Sequence, residues 1–380
     1  MDFSLTEAQH DLAGLARRIL TDWAEQHPDR DLGGFDRELW RSMAKAGLVD
    51  AALPAETGGG GFDVLEQASL LIEIGRTTAP VPYLSSIVAA SALARFGTPA
   101  HIERWILPVS RGDATLAVAL ADEGAPAPFT AQQASRRGPS ARNMYPRPPS
   151  ARPPGDGWLV SGTQTAVLDG AHAAAFLCEV ADDDGGALVV VPADAPGVTV
   201  SPQRTVDGDD AALVELHDVA VAPDDVLSEP GAATLTRQHA IVGLCALQLG
   251  IVERALELTG EYARQREQFD KPIGSFQAVR QRLADAYIDV EAVRLTLWQA
   301  AWQLAEGLPA EEQVATAKFW AAEAGHRVAH TAVHLHGGVG IDTDAPLHRY
   351  FAAAKRAEFT LGGATSQLRT LGSLLAAEEA

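Results

Sequence analysis

The chain has few cysteines, no excess of basic residues and no long apolar run. Cys178 and Cys245 are its only cysteines among 380 residues, which excludes a disulfide framework and the common C-x-x-C zinc motifs. With 30 Lys and Arg against 50 Asp and Glu, its net charge of −20 disfavours nucleic acid or an anionic membrane as a partner. No stretch reaches about 18 apolar residues, so we expect a soluble, cytoplasmic protein without a membrane segment.

The first part of the chain, residues 1–115, has the apolar spacing of helices joined by short loops. Ser4 and Glu7 have the S-x-x-E spacing of a capping box, which predicts that the first helix begins there. Further helices are predicted over residues 37–46, 64–75 and 83–96. We therefore predict an N-terminal α-helical domain.

The pattern changes over residues 116–229, where short β-branched runs alternate with Gly, Pro and Asp. Such runs begin at Trp158, Ala187, Val198 and Leu213. They predict a middle β-domain built as a compact antiparallel sheet or barrel.

One segment of the middle part differs from its surroundings. Residues 124–154 hold eight of the chain's 22 prolines and five arginines, but no acidic residue. We predict an irregular, Pro/Arg-rich loop; a basic docking loop and a reading-frame error in the sequence are the alternatives.

Helical periodicity returns over residues 230–380, and the segments are longer. Helices are predicted over residues 232–266, 276–306, 311–335, 345–359 and 364–377, with glycines between them. These segments predict a C-terminal four-helix bundle. The fold class is therefore α+β, in the order helices, sheet, bundle.

A motif with an arginine and aromatic rings lies between two long helices, at residues 266–277. Arg266 can hold a phosphate through two hydrogen bonds, Phe269 can pack on a ring, and Gln277 can bind a polar ligand near a helix start. The alternative is an ordinary inter-helix turn with a solvated arginine.

Glycines follow a long helix at residues 334–340, which read His-Leu-His-Gly-Gly-Val-Gly. A dinucleotide-binding G-x-G-x-x-G follows a strand and opens a helix, so that interpretation is excluded. The remaining interpretations are a helix C-cap and a turn whose amides approach a phosphate.

Four residues of metal-binding types share one face of the same helix: Glu323, His326, His330 and His334. No second motif completes a ligand set, so we predict packing or an interface rather than a metal site.

Together these features resemble the acyl-CoA dehydrogenase family over nearly the whole chain. The resemblance is carried by residues 54–59, the 266–277 motif, Gly337-Gly-x-Gly340, and residues 347–350 and 365–367. It implies an N-terminal helical domain, a β-domain and a four-helix bundle, assembled as a dimer of dimers.

By this resemblance FAD lies across a subunit interface, where one subunit's β-domain supports the flavin and the neighbour's bundle holds the pyrophosphate and adenosine. The resemblance assigns the neighbour-side contacts to Arg266, Gln268, Phe269, Gln277, His334, Leu335, Gly337 and Gly338. His334 replaces the usual Gln of that motif.

The flavin-supporting half departs from the family pattern. The usual Thr-Glu-Pro-x-x-Gly-Ser-Asp segment reads Ala119-Leu-Ala-Asp-Glu-Gly-Ala-Pro, and the usual Trp-Ile-Thr/Ser triplet is Ala166-Val-Leu168. Removal of the acyl-CoA α-proton needs a carboxylate, yet Gly363 occupies the usual Glu position and the alternative position falls near Ala240. Glu358, about one helical turn away, is the remaining candidate for a displaced base.

These losses resemble the non-catalytic subunits of the α2β2 acyl-CoA dehydrogenases that actinobacteria use on cholesterol and steroid side-chain CoA thioesters. The resemblance implies a homologous catalytic partner, a bulky acyl-CoA substrate and an electron-transfer flavoprotein. Two alternatives stay open: a homotetrameric dehydrogenase that uses Glu358, and a non-enzymatic scaffold or regulatory pseudoenzyme.

Overall fold

The N-terminal part of the chain consists of short helices whose apolar faces meet. The computed structural model describes residues 6–28, 33–121, 127–133, 157–181, 187–208 and 210–378. The helices are α1 (Glu7–Gln26), α2 (Arg37–Lys45), α3 (Val64–Thr77), α4 (Tyr83–Phe96), α5 (Pro99–His101) and α6 (Leu107–Ser110), with a π-helical turn at Ile102–Ile106 between the last two. The helices predicted from periodicity in this part are confirmed.

The predicted capping box of the first helix is wrong by two residues. Helix α1 begins at Glu7, and the box is formed by Thr6 and Gln9. The Thr6 hydroxyl accepts from the Gln9 backbone N–H at 3.2 Å, and the Gln9 side chain accepts from the Thr6 N–H at 2.9 Å. Thr and Gln supply the same groups as Ser and Glu, so spacing alone does not separate the two boxes.

The middle part forms one mixed sheet of eight strands. The strands are β1 (Leu116–Ala119), β2 (Phe129–Gln133), β3 (Trp158–Val167), β4 (Ala175–Ala181), β5 (Ala187–Pro192), β6 (Val198–Arg204), β7 (Asp210–Val221) and β8 (Val226–Leu227). Their order is β6-β7-β3-β2-β4-β5-β8, and β1 and β2 pair in parallel with successive parts of β4. The remaining pairs are antiparallel, so the predicted antiparallel sheet is wrong where β1 and β2 pair with β4.

The predicted irregular loop over residues 124–154 is wrong for part of its length. Residues Phe129–Gln133 form β2, which pairs with β3 and extends the β1 edge of β4. The segment Phe-Thr-Ala-Gln-Gln contains no proline, so its backbone N–H groups are available for the ladder. Residues 124–126 and 134–154 of the predicted loop lie outside the described residues.

The C-terminal part consists of long helices that pack on one another. They are α7 (Ala232–Gln265), α8 (Gln277–Ala305), α9 (Glu311–His336), α10 (Leu347–Phe359) and α11 (Ala364–Glu378). A small hairpin, β9 (Glu267–Gln268) with β10 (Lys271–Pro272), joins α7 to α8. The predicted order of helices, sheet and helical bundle is confirmed.

Alternate residues of the sheet face two different cores. Val118 and Leu177 belong to the large core shared with the helices, whereas Ala119 and Phe176 belong to a separate core on the other face. This follows from the two-residue period of a strand. Cys178 lies in that second core as a buried free thiol, and burial raises its pKa.

Two glycines allow α3 and α7 to cross at backbone contact. A Cβ on Gly75 would lie 2.1 Å from the Leu247 carbonyl oxygen, and one on Gly250 would lie 2.0 Å from that of Ile72. Any larger residue would push the helices apart. The crossing fixes the N-terminal helices against the bundle and therefore positions the surfaces described below.

Candidate functional site

A cavity of about 580 Å³ lies between the sheet and the bundle; we call it the sheet–bundle cavity. The end of β3, the turn after β6 and the end of α10 contribute most of its wall. Its described lining residues are Leu84, Val118, Leu120, Ala121, Pro128, Thr163 to Leu168, Thr205, Val206, Ala211, Ala240, Lys355, Arg356 and Phe359 to Leu361. The cavity thus brings together the 166–168 triplet, the first residues of the 119–126 segment and Ala240.

The described lining of this cavity contains no carboxylate, imidazole or thiol. Ala240, at one expected base position, has only a methyl group. At Gly363, a built Cβ would meet Phe359 at 3.8 Å and the Glu358 carbonyl oxygen at 3.7 Å, which are ordinary contacts. Residue 363 therefore has room for a Cβ, and glycine places no side chain there.

Glu358, the displaced base considered from the sequence, is bound elsewhere. Its carboxylate contacts Lys355 Nζ at 2.5 Å and His326 Nδ1 at 3.3 Å, and its side chain is 13 % exposed. Lys355 lines the cavity, whereas Glu358 is not part of the wall. An ion-paired carboxylate that is not part of the cavity wall is poorly placed to take a proton there.

Two amides of the cavity wall are already used inside the chain. Gln203 accepts from the backbone N–H of Ala166 at 2.9 Å, and Gln164 donates to the Leu120 carbonyl at 2.7 Å. Ala166 has a positive φ of 53°. Sequence reasoning missed both glutamines, because neither belongs to a motif.

The 266–277 motif forms a tight hairpin at the far end of α7. Phe269 and Asp270 make a two-residue turn in which both have positive φ, a geometry that matches hairpin twist. The turn leaves Phe269 86 % exposed, with its ring edge-on to Phe276 at 6.2 Å. Lys271 Nζ lies 4.5 Å from the centre of the Phe276 ring.

The polar side chains of this hairpin face solvent. Arg266 is exposed; its backbone N–H donates to the Tyr262 carbonyl at 2.8 Å, but its guanidinium forms no hydrogen bond or ion pair with any residue the structure describes. Gln277, the first residue of α8, is likewise exposed. Gln268 contacts only the neighbouring Glu267 carbonyl, at 2.8 Å. These groups are available to a ligand or a partner.

The turn after α9 adjoins this hairpin through an aromatic stack that the sequence did not indicate. Tyr262, in the last turn of α7, stacks on His336 with ring centres 4.2 Å apart. Gly337 has a φ of 63°, and a Cβ on Gly337 or Gly338 would meet nothing within 4 Å. His334 is exposed and Leu335 half-buried on the preceding helical turn. An open backbone turn therefore lies beside the hairpin.

The histidine row on α9 does not form a metal centre within the described residues. His326 is bound to Glu358 and Lys355, and its ring lies 4.4 Å from that of His330. Desolvation, with smaller effects of His326 and Lys355, lowers the pKa of His330. The row lines an open groove between α8 and α9.

Comparisons with known proteins agree with this architecture. The acyl-CoA dehydrogenase C-terminal domain matches residues 233–375, and the N-terminal domain of the same family matches residues 6–113. Acyl-CoA dehydrogenase FadE27 of Mycobacterium tuberculosis is 46 % identical and covers 99 % of both chains. This chain belongs to the acyl-CoA dehydrogenase family.

Solved structures give the same assignment. A chain of the ChsE4-ChsE5 complex from Mycobacterium tuberculosis has a TM-score of 0.89 at 46 % identity, with 99 % of each chain covered. A chain of the Tcur3481-Tcur3483 steroid ACAD variant has a TM-score of 0.86 at 38 % identity, covering 98 % of this chain and 99 % of that one. The predicted resemblance and fold are confirmed, and no described helix is long and apolar enough to span a membrane.

Two solved structures that share this fold, PigA at 22 % identity and a glutaryl-CoA dehydrogenase of Mycobacterium smegmatis at 20 %, contain FAD and FADH2, respectively. The fit of FAD to this acyl-CoA dehydrogenase chain can be tested in two places. In the sheet–bundle cavity the fit is poor, since the Ala166 N–H is taken by Gln203 and the triplet has no indole or hydroxyl. At the hairpin the fit is good. Arg266 and Gln277 are exposed donors, and Gly337 and Gly338 leave room for close approach of a phosphate.

Proposed function

We propose that this chain is a subunit of a heteromeric FAD-dependent acyl-CoA dehydrogenase and serves a catalytic homologue's active site. It lacks its own catalytic carboxylate and lends its bundle-end residues to FAD that rests on the partner. The complex oxidises a bulky acyl-CoA, of the steroid side-chain class, to its 2-enoyl-CoA.

The proposal rests on a difference between the sheet–bundle cavity and the hairpin. The sheet–bundle cavity has no carboxylate in its described wall, and its Ala166 amide is hydrogen-bonded within the chain. The hairpin, in contrast, presents an exposed arginine with no partner among the described residues. A chain that used its own cavity would need a carboxylate in that wall and a free Ala166 amide, because the family resemblance places flavin binding and proton abstraction there.

FAD, when bound, supplies the acceptor for the hydride that leaves the acyl β-carbon. The part of this chain is binding and orientation. Arg266 holds the anionic pyrophosphate, Phe269 packs against a ring, and Gln277 hydrogen-bonds a polar edge. Gly337 and Gly338 bring backbone N–H groups close to the ligand. His334, Leu335 and Gln268 complete this surface, while the partner's carboxylate removes the α-proton.

The surface of the bundle supports a macromolecular partner. Large apolar side chains are exposed on α8, on α11, on the turn of the hairpin and on the turn after α9: Phe269, Tyr287, Ile288, Leu295, Val339, Ile341, Leu368 and Leu375. Apolar side chains grouped on one part of a soluble protein mark an interaction surface. A homologous catalytic subunit is the occupant we propose, as two of the related structures are of complexes named for two proteins each. We also propose that electrons leave the complex through an electron-transfer flavoprotein.

The experiment is purification of this chain alone and after coexpression with a catalytic homologue, followed by flavin absorbance and native mass. We expect the chain alone to be colourless and inactive, and the complex to be yellow with one FAD per pair of unlike chains. A yellow, active chain on its own would overturn the proposal and return attention to Glu358. A complex without flavin would favour the scaffold alternative.

A further inference from the structure

A second, smaller cavity of about 80 Å³ lies deeper, between α3, α7 and α10; we call it the Arg349 cavity. Its wall is mostly apolar and includes Leu71, Ile74, Leu84, Leu168, Leu247 and Ile251. Two arginines and two aspartates line it as well. The cavity thus combines an alkyl-sized apolar space with charged groups.

Three of the four charged groups have partners. Asp169 accepts from the Ser85 hydroxyl at 2.5 Å, and the Arg356 guanidinium forms an ion pair with Asp207. Arg349 is different. It is only 9 % exposed, its Nη2 donates to the Pro28 carbonyl at 2.7 Å, and its buried Nε has no hydrogen-bond partner.

A buried guanidinium that meets no carboxylate among the described residues is costly, because removal of a charge from water is offset only by pairing. Arg349 also lines an open cleft next to this cavity, and the other arginines of that cleft differ from it. Arg17, Arg76 and Arg254 line it together with Arg349, and each of the three is paired with a glutamate. The other three guanidinium groups of the cleft are therefore paired with carboxylates of the same chain.

The position of Arg349 in its helix adds to the argument. It is the third residue of α10, so its charge lies at the positive end of the helix dipole. An anion at this place would be favoured by the guanidinium and by the helix end, and opposed by Asp169, whose carboxylate also lines the cavity. Because Arg349 also lines the open cleft, it connects that cleft with the interior cavity.

We propose that the Arg349 cavity binds a short-chain monocarboxylate, with the carboxylate on Arg349 and the alkyl part against Leu247 and Ile251. An engineered cavity of about 150 Å³ accepts benzene, which has six heavy atoms, so roughly half that volume suits an acid of about two or at most three carbons. A four-ring steroid does not fit. This site is independent of the FAD-donating role proposed above.

The test is thermal unfolding of the full chain, in complex with its partner, at constant ionic strength with acetate, propionate, butyrate, hexanoate or inorganic phosphate. We expect acetate and propionate to raise Tm saturably, by several degrees at about 100-fold excess over Kd, and butyrate, which has as many heavy atoms as benzene, to give no shift. Hexanoate should give no shift, because its chain exceeds the cavity. An equal shift with phosphate would overturn the carboxylate assignment and leave only a generic anion effect.

Variants locate the effect. Arg349→Gln should abolish the propionate shift, whereas the matched variant Arg17→Gln, at a paired arginine of the same cleft, should keep it. Ala353 also lines the cavity, so Ala353→Leu should abolish the shift by filling the space while Arg349 stays charged. A propionate shift that survives in either cavity variant, or no shift in the unsubstituted complex, refutes the site.

Discussion

Replacement of Arg266 by alanine tests the FAD-donating surface most directly. The guanidinium is exposed and has no partner among the described residues, so its loss should change the unfolding free energy of the chain by less than about 0.5 kcal/mol. Hydrogen bonds to a charged group contribute about 1.5–3 kcal/mol each. If Arg266 holds the pyrophosphate, FAD should bind the complex about 10- to 150-fold more weakly.

The assay is FAD titration of the deflavinated complex, followed by flavin fluorescence, with unfolding of the chain measured in parallel. Arg264→Ala is the matched control, since Arg264 is an exposed arginine two residues earlier, on the last turn of α7. We expect the control to retain its FAD affinity. Equal affinity of the Arg266→Ala complex and the unsubstituted complex would refute the assignment, and an equal loss in both variants would indicate a nonspecific effect of charge.

Three further predictions concern buried or missing groups. Lys318 is fully buried and donates to the Ala357 and Glu358 carbonyls at 2.9 and 3.2 Å, at the C-terminal end of α10. Lys318→Met should therefore lower the free energy of unfolding in urea by about 2–4 kcal/mol. Lys45 is exposed, so Lys45→Met should lower it by less than about 0.5 kcal/mol, and similar losses in the two variants would contradict this role of Lys318. Gly363→Glu should fold normally yet give no acyl-CoA dehydrogenation by the chain alone; turnover by that variant would show that the cavity still supports flavin. Desolvation, with the charge of Arg95, lowers the pKa of His239 from 6.5 to about 4. The contribution of the neutral imidazole to stability is therefore complete above pH 6.5 and is lost as the pH falls, and the free energy of unfolding should drop by about 2 kcal/mol between about pH 7 and 5. Urea unfolding of His239→Gln should lack that part of the pH dependence.

The helices and four of the eight sheet strands, β3, β5, β6 and β7, could be predicted because their apolar spacing is a local property of the sequence. Strands β1, β4 and β8 were not predicted, since β1 and β4 are rich in alanine, which has a low strand propensity, and β8 has only two residues. Strand β2 was missed, since the composition of residues 124–154 obscured five residues that pair with β3 and β4. The capping box was misplaced because Thr6 with Gln9 offers the same chemistry as Ser4 with Glu7. For strand β2 and for the capping box, the local sequence is compatible with two structures, and contacts with the rest of the fold determine which one forms.

The candidate site was predictable in its motifs but not in its internal bonds. Arg266 and Gln277 could be named from the sequence, and Gly363 could be recognised as a missing carboxylate. The bond from Ala166 N–H to Gln203 depends on strand register across β7, which no local pattern encodes. The stack of Tyr262 on His336 likewise requires that the ends of two helices meet in space.

In the heteromeric assembly proposed above, the two-residue turn of the hairpin would affect how fast and how tightly the subunits assemble. Phe269 and Asp270 both hold left-handed backbone conformations, which cost residues other than glycine on the order of 1 kcal/mol each. That cost is met when the chain folds, before any partner arrives. The ring of Phe269 is therefore presented in a preorganised loop, and little conformational entropy remains to be lost on docking. A glycine at either position would relax the free subunit and slow the capture of its partner.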